Sequence, residues 1–413
     1  MAEGKAEAEP VIIGGMVLDI QATSSIPPHP RSTCPGKVYY VLGGVARNIA
    51  ECMWKLGAKP FMISAVGFDV AGKLLLEHWE STKLSTEGIR KHQDIKTATV
   101  CHILDVGGEV AAGVASLDSI ERYLTPQWIQ QFRPNIHSAP VLMVDANLSL
   151  PALEAACQMA VDSNVPVWFE PVSIAKSKRI ATIAKYVTFT SPNEDELIAM
   201  ANALSSEDVF HPIEKKMYSR DALLHLLKPP ILVLLEKGIK IVVLTLGSDG
   251  VFLCFKGEPN ILRIGQGKIK SSAFSRKLFE SMTSSSPPDW YSSGTIHDGI
   301  SNFLVVHFPA LPASVVRLTG AGDCLVGGTL ASICIGLDLM QSIAVGIAAA
   351  KAAVEAESNV PSQFNLDSIA EWRHEPFVTS EAQWNQDDPI IKSVGDARTV
   401  YHTARVLSSP SKL

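Results

Sequence analysis

Thr319-Gly320-Ala321-Gly322-Asp323 runs directly into Cys324-Leu325-Val326-Gly327-Gly328-Thr329-Leu330. The second half is small and apolar. It predicts a buried helix that continues to about Ile335 and stops at Gly336. The glycines ahead of it therefore fall at a helix N-terminus, where unpaired backbone N–H groups and the positive end of the dipole meet. Such an end binds anions, and glycine lets an anion approach the backbone closely. Asp323 lies in the first turn of the same helix. A carboxylate beside a bound anion is repelled unless it has a task, and taking a proton from an attacking hydroxyl is such a task. A plainer reading competes, since the dipole alone favours an acid in a first helical turn.

Outward from this segment the chain alternates strand and helix. Val11-Ile12-Ile13 reads as a buried strand ending at Gly14-Gly15, and Val38 to Leu42 as a strand ending at Gly43-Gly44. Val45 to Leu56 reads as a helix with Gly57 in its left-handed C′ position. Pro60 to Val66 is a strand and Ala71 to Trp79 a helix; Val141 to Val144, Val165 to Phe169, Val187 to Thr190 and Ile241 to Leu246 are further apolar strands with helical segments between. This rhythm predicts an α/β fold: a central, mostly parallel sheet flanked by helices on both faces. Thr97 to Leu104 and Glu109 to Leu117 flank Asp105-Val106-Gly107-Gly108, which is a hairpin signal. With the strands near Ile20 and Val38 they predict a small β-sheet lid built from about residues 18–42 and 96–118. Residues 265–300 are rich in serine and carry Pro287-Pro288, and are expected to be a disordered or loosely packed insertion. The tail 376–413 has a similar look.

The 413 residues carry a formal charge of −6 and are 46% hydrophobic, enough apolar mass for a large core. A mildly acidic chain without a basic block is a poor footprint for nucleic acid. Seven cysteines, widely spaced and without a CxxC, read as reduced thiols rather than a disulfide framework or zinc site. No apolar run is long enough to span a bilayer, so no membrane partner is expected. Ser411-Lys412-Leu413 matches the peroxisomal address read by an import receptor. Peroxisomal import through that tripeptide is the expectation, with an ordinary cytosolic tail as the alternative.

Four further segments carry candidate chemistry. In Gly43-Gly44-Val45-Ala46-Arg47-Asn48, main-chain groups at Gly43 and Gly44 and the Asn48 amide can hydrogen-bond a polyhydroxylated ligand; a plain strand-to-helix turn fits equally. Asp19 lies just past the first strand, where it can accept bonds from two neighbouring hydroxyls or be an ordinary loop acid. Ser191-Pro192-Asn193-Glu194-Asp195-Glu196 follows a strand. Asn193 and Glu196 can position Mg²⁺ through its water shell, or cap the next helix, or do both. Leu244-Thr245-Leu246-Gly247-Ser248-Asp249-Gly250-Val251 reads as strand, tight turn, strand, with Thr245 and Gly247 placed to touch phosphates.

In this order the segments resemble the ribokinase (PfkB) family of carbohydrate and nucleoside kinases, over a domain of about residues 10–375. The resemblance implies a ribokinase-like fold and ATP-dependent phosphorylation with Mg²⁺. It implies Asp323 as catalytic base, with the amides of Gly320, Ala321 and Gly322 as the anion hole. Asp19, Gly43, Gly44 and Asn48 would hold the acceptor. Asn193, Thr245, Gly247 and Gly250 would serve ATP, Glu196 would hold magnesium through water, and the adenine would lie near Ala344 to Asn359. The family's usual Asp-Thr ahead of Thr-Gly-Ala-Gly-Asp is here Arg317-Leu318, which puts K⁺ activation in doubt. Lid edges in this family often pair, so a homodimer through the lid is a further expectation.

Within the family, Gly43 to Glu51, Asp145-Ala146-Asn147-Leu148-Ser149 and Glu170-Pro171-Val172-Ser173 are similar to the pseudouridine kinase subgroup. That adds Asn147 as an acceptor contact and the 5′-hydroxyl of pseudouridine as the expected acceptor. Ribose, fructose, adenosine or another nucleoside is the alternative acceptor. A catalytically silent binding protein of the same fold is a rival that the intact Asp323 and its glycines oppose. A dinucleotide-binding fold would need Gly-x-Gly-x-x-Gly after the first strand, where Gly14-Gly15-Met16-Val17-Leu18-Asp19 stands instead.

Overall fold

The computed structural model describes residues 8–27, 31–104, 110–205, 209–214, 218–256, 272–284, 303–365 and 405–406. Its strands, in chain order, are β1 (Val11–Ile13), β2 (Val17–Ser24), β3 (Gly36–Gly43), β4 (Phe61–Gly67), β5 (Ile89–His92), β6 (Thr99–Leu104) and β7 (Val110–Ser116). There follow β8 (Leu142–Asp145), β9 (Val167–Glu170), β10 (Phe189–Thr190), β11 (Ile241–Thr245), β12 (Val251–Lys256), β13 (Phe303–Phe308) and β14 (Arg405–Val406). One ten-stranded sheet runs β14-β13-β12-β11-β10-β9-β8-β1-β4-β5. It is parallel from β11 to β5 and antiparallel from β11 to β14.

Both faces of this sheet are covered, as a parallel sheet requires. Ile12, Met143, Trp168 and Val243 point into one apolar layer with the helices Val45–Lys55, Ala321–Cys334 and Leu339–Val354. Their strand neighbours Val11, Leu142, Phe169 and Val242 point into the other, under the helices Leu150–Val161, Glu194–Leu204 and Arg220–Glu236. Each such side chain fully withdrawn from water contributes about 1.5–3 kcal/mol. After β1 the chain adds β4 and β5 on one side, whereas β8 onward builds the other. The strand order thus reverses at β1, and such a switch point, beyond the C-terminal ends of the strands, is where an α/β sheet offers a crevice.

The small sheet, β3-β2-β6-β7, leaves the body directly from that crevice through Gly14-Gly15-Met16. It is the expected lid, with β2 parallel to β6 and both outer pairs antiparallel. The turn Asp105 to Gly108 lies outside the described residues.

Three expectations need correction. Asp19 is not a loop acid but lies within β2, on the lid itself. The serine-rich insertion is not featureless. Ala273–Thr283 is a helix capped by Ser272, with Ser275 fully buried and its hydroxyl 3.4 Å from the Leu56 carbonyl. Gly57 makes the room, since a Cβ there would lie 2.1 Å from the Ser272 Oγ. Leu278 and Met282, one turn apart, bury the same face, so the amphipathic spacing outweighs the serine content. The remainder of the insertion lies outside the described residues. In the tail, Arg405–Val406 pairs with β13 and extends the sheet, while Ser411-Lys412-Leu413 lies outside the described residues.

Candidate active site

The helix Ala321–Cys334 begins at Gly320, whose φ of 89° is left-handed, and no side chain caps it. Gly320 is also sterically required, because a Cβ would sit 2.1 Å from the Asn359 carbonyl oxygen. The Ala321 amide turns back to the Leu318 carbonyl at 3.4 Å, and Cys324 already donates to Gly320. Of the two glycines in the expected anion hole, Gly322 is the exposed one, with nothing within 4 Å of where its Cβ would be.

Asp323, half-buried in the first turn, accepts a hydrogen bond from Asn48 Nδ2 at 2.6 Å, across 275 residues of chain. Burial pushes its carboxyl up to about 6, against the lowering effects of the Asn48 bond and the Arg47 charge. Asp145 and Asp19 raise it further. A base of that strength is mostly ionised at neutral pH and still avid for a proton.

Asn48 is aimed by Arg47, which sequence reading had not singled out. The Arg47 guanidinium is buried and donates to the Asn48 Oδ1, to the Gly43 carbonyl at 2.9 Å and to the Leu42 carbonyl at 2.7 Å. With Oδ1 so occupied, the Asn48 amide is oriented to donate to Asp323. Glu51 balances the guanidinium, and Lys55 and His78 also reach it at 2.6 Å and 3.3 Å. Burial alone would raise the Glu51 carboxyl; the His78 bond and the Arg47 and Lys55 charges outweigh that and hold it well below the usual carboxylate range. The signal available in the sequence was the Arg47–Glu51–Lys55 spacing on one helical face.

The residues expected to hold the acceptor gather beyond the C-terminal ends of β1 and β8. Gly43 lacks a side chain because the Asp19 carboxylate lies there: a Cβ would come within 2.2 Å of its Oδ2. Gly44, at φ 96°, closes on the Gly15 carbonyl and starts the helix Val45–Lys55. Burial raises the Asp19 carboxyl, with Asn359, Arg47, His102 and Arg317 opposing. At the end of β8, Asp145 is fully buried and accepts from the Gly15 and Asn147 amides, each at 2.9 Å. Lys176 donates to Asn147 Oδ1, and the Asn147 side chain also hydrogen-bonds the Asp145 carboxyl, its amide nitrogen lying 3.6 Å from the Cβ position of Gly15.

Among the residues expected to serve ATP and magnesium, Asn193 and Glu196 form a reciprocal capping box: Asn193 Oδ1 accepts from the Glu196 amide at 2.9 Å, and Glu196 Oε2 from the Asn193 amide at 3.0 Å. Thr245 joins this turn, its amide donating to the Pro192 carbonyl at 2.9 Å. Gly247, at φ 56°, faces open space. Gly250 does not; it is buried, and a Cβ would meet the Phe308 carbonyl at 2.0 Å, so its role is to let β12 turn against β13. Glu170, at the end of β9, connects the two halves. Its charge interacts with Glu196 on one side and Asp323 and Asp145 on the other. Burial holds its carboxyl well above the usual range, the Ser191 hydroxyl bond opposing, and the neighbouring acids add to the rise. Trp168 Nε1 fixes that hydroxyl at 2.8 Å. The turn after Glu170 is strained, with Val172 at φ 68°, a region a β-branched residue avoids.

The model of the pfkB family of carbohydrate kinases matches residues 8–269 and 301–363. The chain belongs to the pfkB family. A pseudouridine kinase of Arabidopsis thaliana is 50% identical over 402 residues, covering 97% of this chain and 98% of that one. A pseudouridine kinase of Escherichia coli K12 is 28% identical over 243 residues, 59% of this chain and 71% of that one. Among solved structures, Arabidopsis thaliana ribokinase complexed with ribose and ATP superposes with a TM-score of 0.64 at 17% identity, covering 86% and 96% of the two chains. The family match skips residues 270–300, so the helix Ala273–Thr283 is an addition to the family domain. As a pfkB-family kinase the chain is a phosphotransferase. Asn359, placed by sequence near the adenine, instead reaches the acceptor side, donating to the Leu42 carbonyl at 3.1 Å and to Asp19 at 3.4 Å.

Proposed function

We propose that this kinase transfers the terminal phosphoryl group of ATP to the 5′-hydroxyl of pseudouridine. The observation that supports the reading is the Asn48–Asp323 contact, an acid of raised pKa in the first turn of a helix that no side chain caps. The near full-length likeness to a pseudouridine kinase supports the choice of acceptor. Asp19 accepts hydrogen bonds from ribose hydroxyls, and the Asn147 amide meets the ribose or a base edge. Asp323 takes the proton of the 5′-hydroxyl as that oxygen attacks in line. The new O–P bond forms, the bond to the bridging oxygen breaks, and ADP leaves with the electron pair. The Gly322 region receives the charge spread over the phosphoryl oxygens.

Magnesium fits the donor set. Among the described residues no cluster of three acids or histidines is close enough to hold a metal directly. Mg²⁺ keeps its waters, however, and the mutual repulsion of Glu170, Glu196 and Asp323 is what a hydrated cation relieves. Glu196, through its oxygen outside the capping box, and Glu170 would hold it by water, and when bound it would neutralise charge on the transferring phosphates. Arg317, a fixed cation where the family usually has an acid, favours turnover that does not depend on K⁺.

Purified protein with Mg·ATP, offered pseudouridine, uridine, adenosine, ribose and fructose, tests the assignment. Pseudouridine is expected to give the highest kcat/KM; preference for a free sugar overturns it, and absence of ADP release with every acceptor returns the silent-protein reading. Two further parts belong to the proposal. Ser411-Lys412-Leu413 directs import into peroxisomes, which a fluorescent fusion lacking the tripeptide would test by turning cytosolic. The outer face of the lid pairs two copies. Val38, Tyr40, Ile103 and Val114 lie on the face opposite Asp19 and are 60%, 64%, 41% and 75% exposed, an apolar surface that wants cover. A Val114→Asp variant that remains as large as wild type in light scattering would remove that interface.

A further inference from the structure

Arg317 stands three residues before the helix-capping Gly320, and the reaction described so far makes no use of its side chain. Its Nη2 donates to Gln21 Oε1 on lid strand β2 at 3.1 Å, across 296 residues of chain. Its Nη1 reaches Asn359 Oδ1 at 3.5 Å. Asn359, 1% exposed, passes the chain of contacts on through Nδ2 to the Leu42 carbonyl of β3 and the Asp19 carboxylate of β2. The Asn359 carbonyl oxygen is the atom that forbids a side chain at Gly320, and it also accepts from the Cys324 thiol at 3.6 Å. Gln21 and Asp19 are two residues apart on one strand, so they share the inner face of the lid.

We propose that Arg317 and Asn359 are positioning residues forming a polar latch, which ties the inner face of the lid to the helix end that receives the phosphoryl group. Arg317 holds the lid by Gln21 and orients the Asn359 amide, and that amide turns the Asp19 carboxylate towards the acceptor. Because the same Asn359 backs Gly320, acceptor binding under the lid and alignment of the helix N-terminus become one mechanical event. Arginine suits this position because its rigid planar fork holds two acceptors in fixed directions, whereas a lysine ammonium is a point charge on a flexible stem. The latch rests on the kinase reading but not on the identity of the acceptor.

Hydrogen exchange on substrate-free, full-length protein reads the latch without any assumption about substrate. Arg317→Met should speed exchange of the β2 and β3 amides while leaving the ten-stranded sheet and the melting temperature unchanged. With the preferred acceptor, its KM should rise about tenfold, the size expected for one hydrogen bond to a charged group, while the KM for ATP holds. Gln21→Leu should reproduce both effects from the lid side. The double variant should be no worse than Arg317→Met alone, since that change already removes the Gln21 contact. Gln21→Glu should preserve the latch when Arg317 is present and lose it in Arg317→Met. If Arg317→Met does not fold, Gln21→Leu, at a half-exposed position, carries the same two readouts. Unchanged lid exchange in whichever variant folds, or additive effects of the pair on acceptor KM, would overturn the latch. The acceptor panel can fail without touching this result, and the reverse also holds.

Discussion

Two helix ends in this molecule look alike in sequence and differ in the structure. The helix Glu194–Leu204 and the helix Ala321–Cys334 both begin next to the site with acids in their first turn. The first is closed by its own side chains, Asn193 and Glu196 taking up each other's backbone amides. The second begins with a left-handed glycine and no capping side chain, and its acid is turned to Asn48 instead. A capped end has spent its donors and serves the fold; an uncapped one keeps them for a ligand. At the first end an acid closes its own helix; at the second the acid is left to the proposed proton transfer.

Asp323→Asn tests the contrast most severely. It should lower kcat by at least ~10², the low end for a positioned base, with the fold intact. Its stability effect has a definite sign. The carboxyl is raised to about 6, so the ionised form disfavours the folded state above that pH. The variant should therefore match or exceed the wild-type melting temperature at neutral pH, with the advantage fading as pH falls towards the unfolded value. Near-normal turnover, measured in single-turnover assays, would end its role as base.

Gly320→Ala comes next. The left-handed φ and the Asn359 carbonyl at 2.1 Å leave no room for a methyl group, so the helix end must shift. Overpacking of this kind costs about 1–3 kcal/mol, and phosphoryl transfer should suffer more than acceptor binding. A variant with wild-type kcat and melting temperature would show the end to be tolerant.

Arg47→Met sharpens the electrostatic side. Removing that charge and freeing the Asn48 amide takes away the two groups that hold the Asp323 carboxyl down. The acidic limb of the kcat/KM profile, expected at about pH 6 in the wild type, should move to higher pH. An unmoved limb would separate Arg47 from the base. The smallest effect is expected at the capped end: Asn193→Ala should cost about 1 kcal/mol of stability through loss of the cap, read as a lower melting temperature, with a smaller loss of activity than any change around Asp323.

Much of the fold was legible because it is local. Apolar runs ending at Gly14-Gly15 and at Gly43-Gly44 marked β1 and β3, and Gly57 and Gly336 ended helices in the left-handed conformation their positions suggested. The reading failed where composition and pattern disagreed. Serines at 271–286 concealed a helix whose buried face needs only Ser275, Leu278 and Met282. Of the site, glycines and Asp323 were readable from spacing and Arg47 only through its i,i+4 partner Glu51, whereas Glu170, Lys176 and Asn359 were not, because each acts through partners on other segments.

From its order of residues alone this protein determined an alternating α/β chain, a lid, a glycine-started helix and an acid in its first turn. Backbone conformation and hydrophobic period depend on neighbours a few residues away, so those features are written locally. Only the tertiary structure decided that Asn48 meets Asp323 and that Asn359 meets Asp19, across 275 and 340 residues. It also decided which acid keeps a raised pKa, because desolvation and neighbouring charge are properties of the packed crevice and not of any segment that lines it.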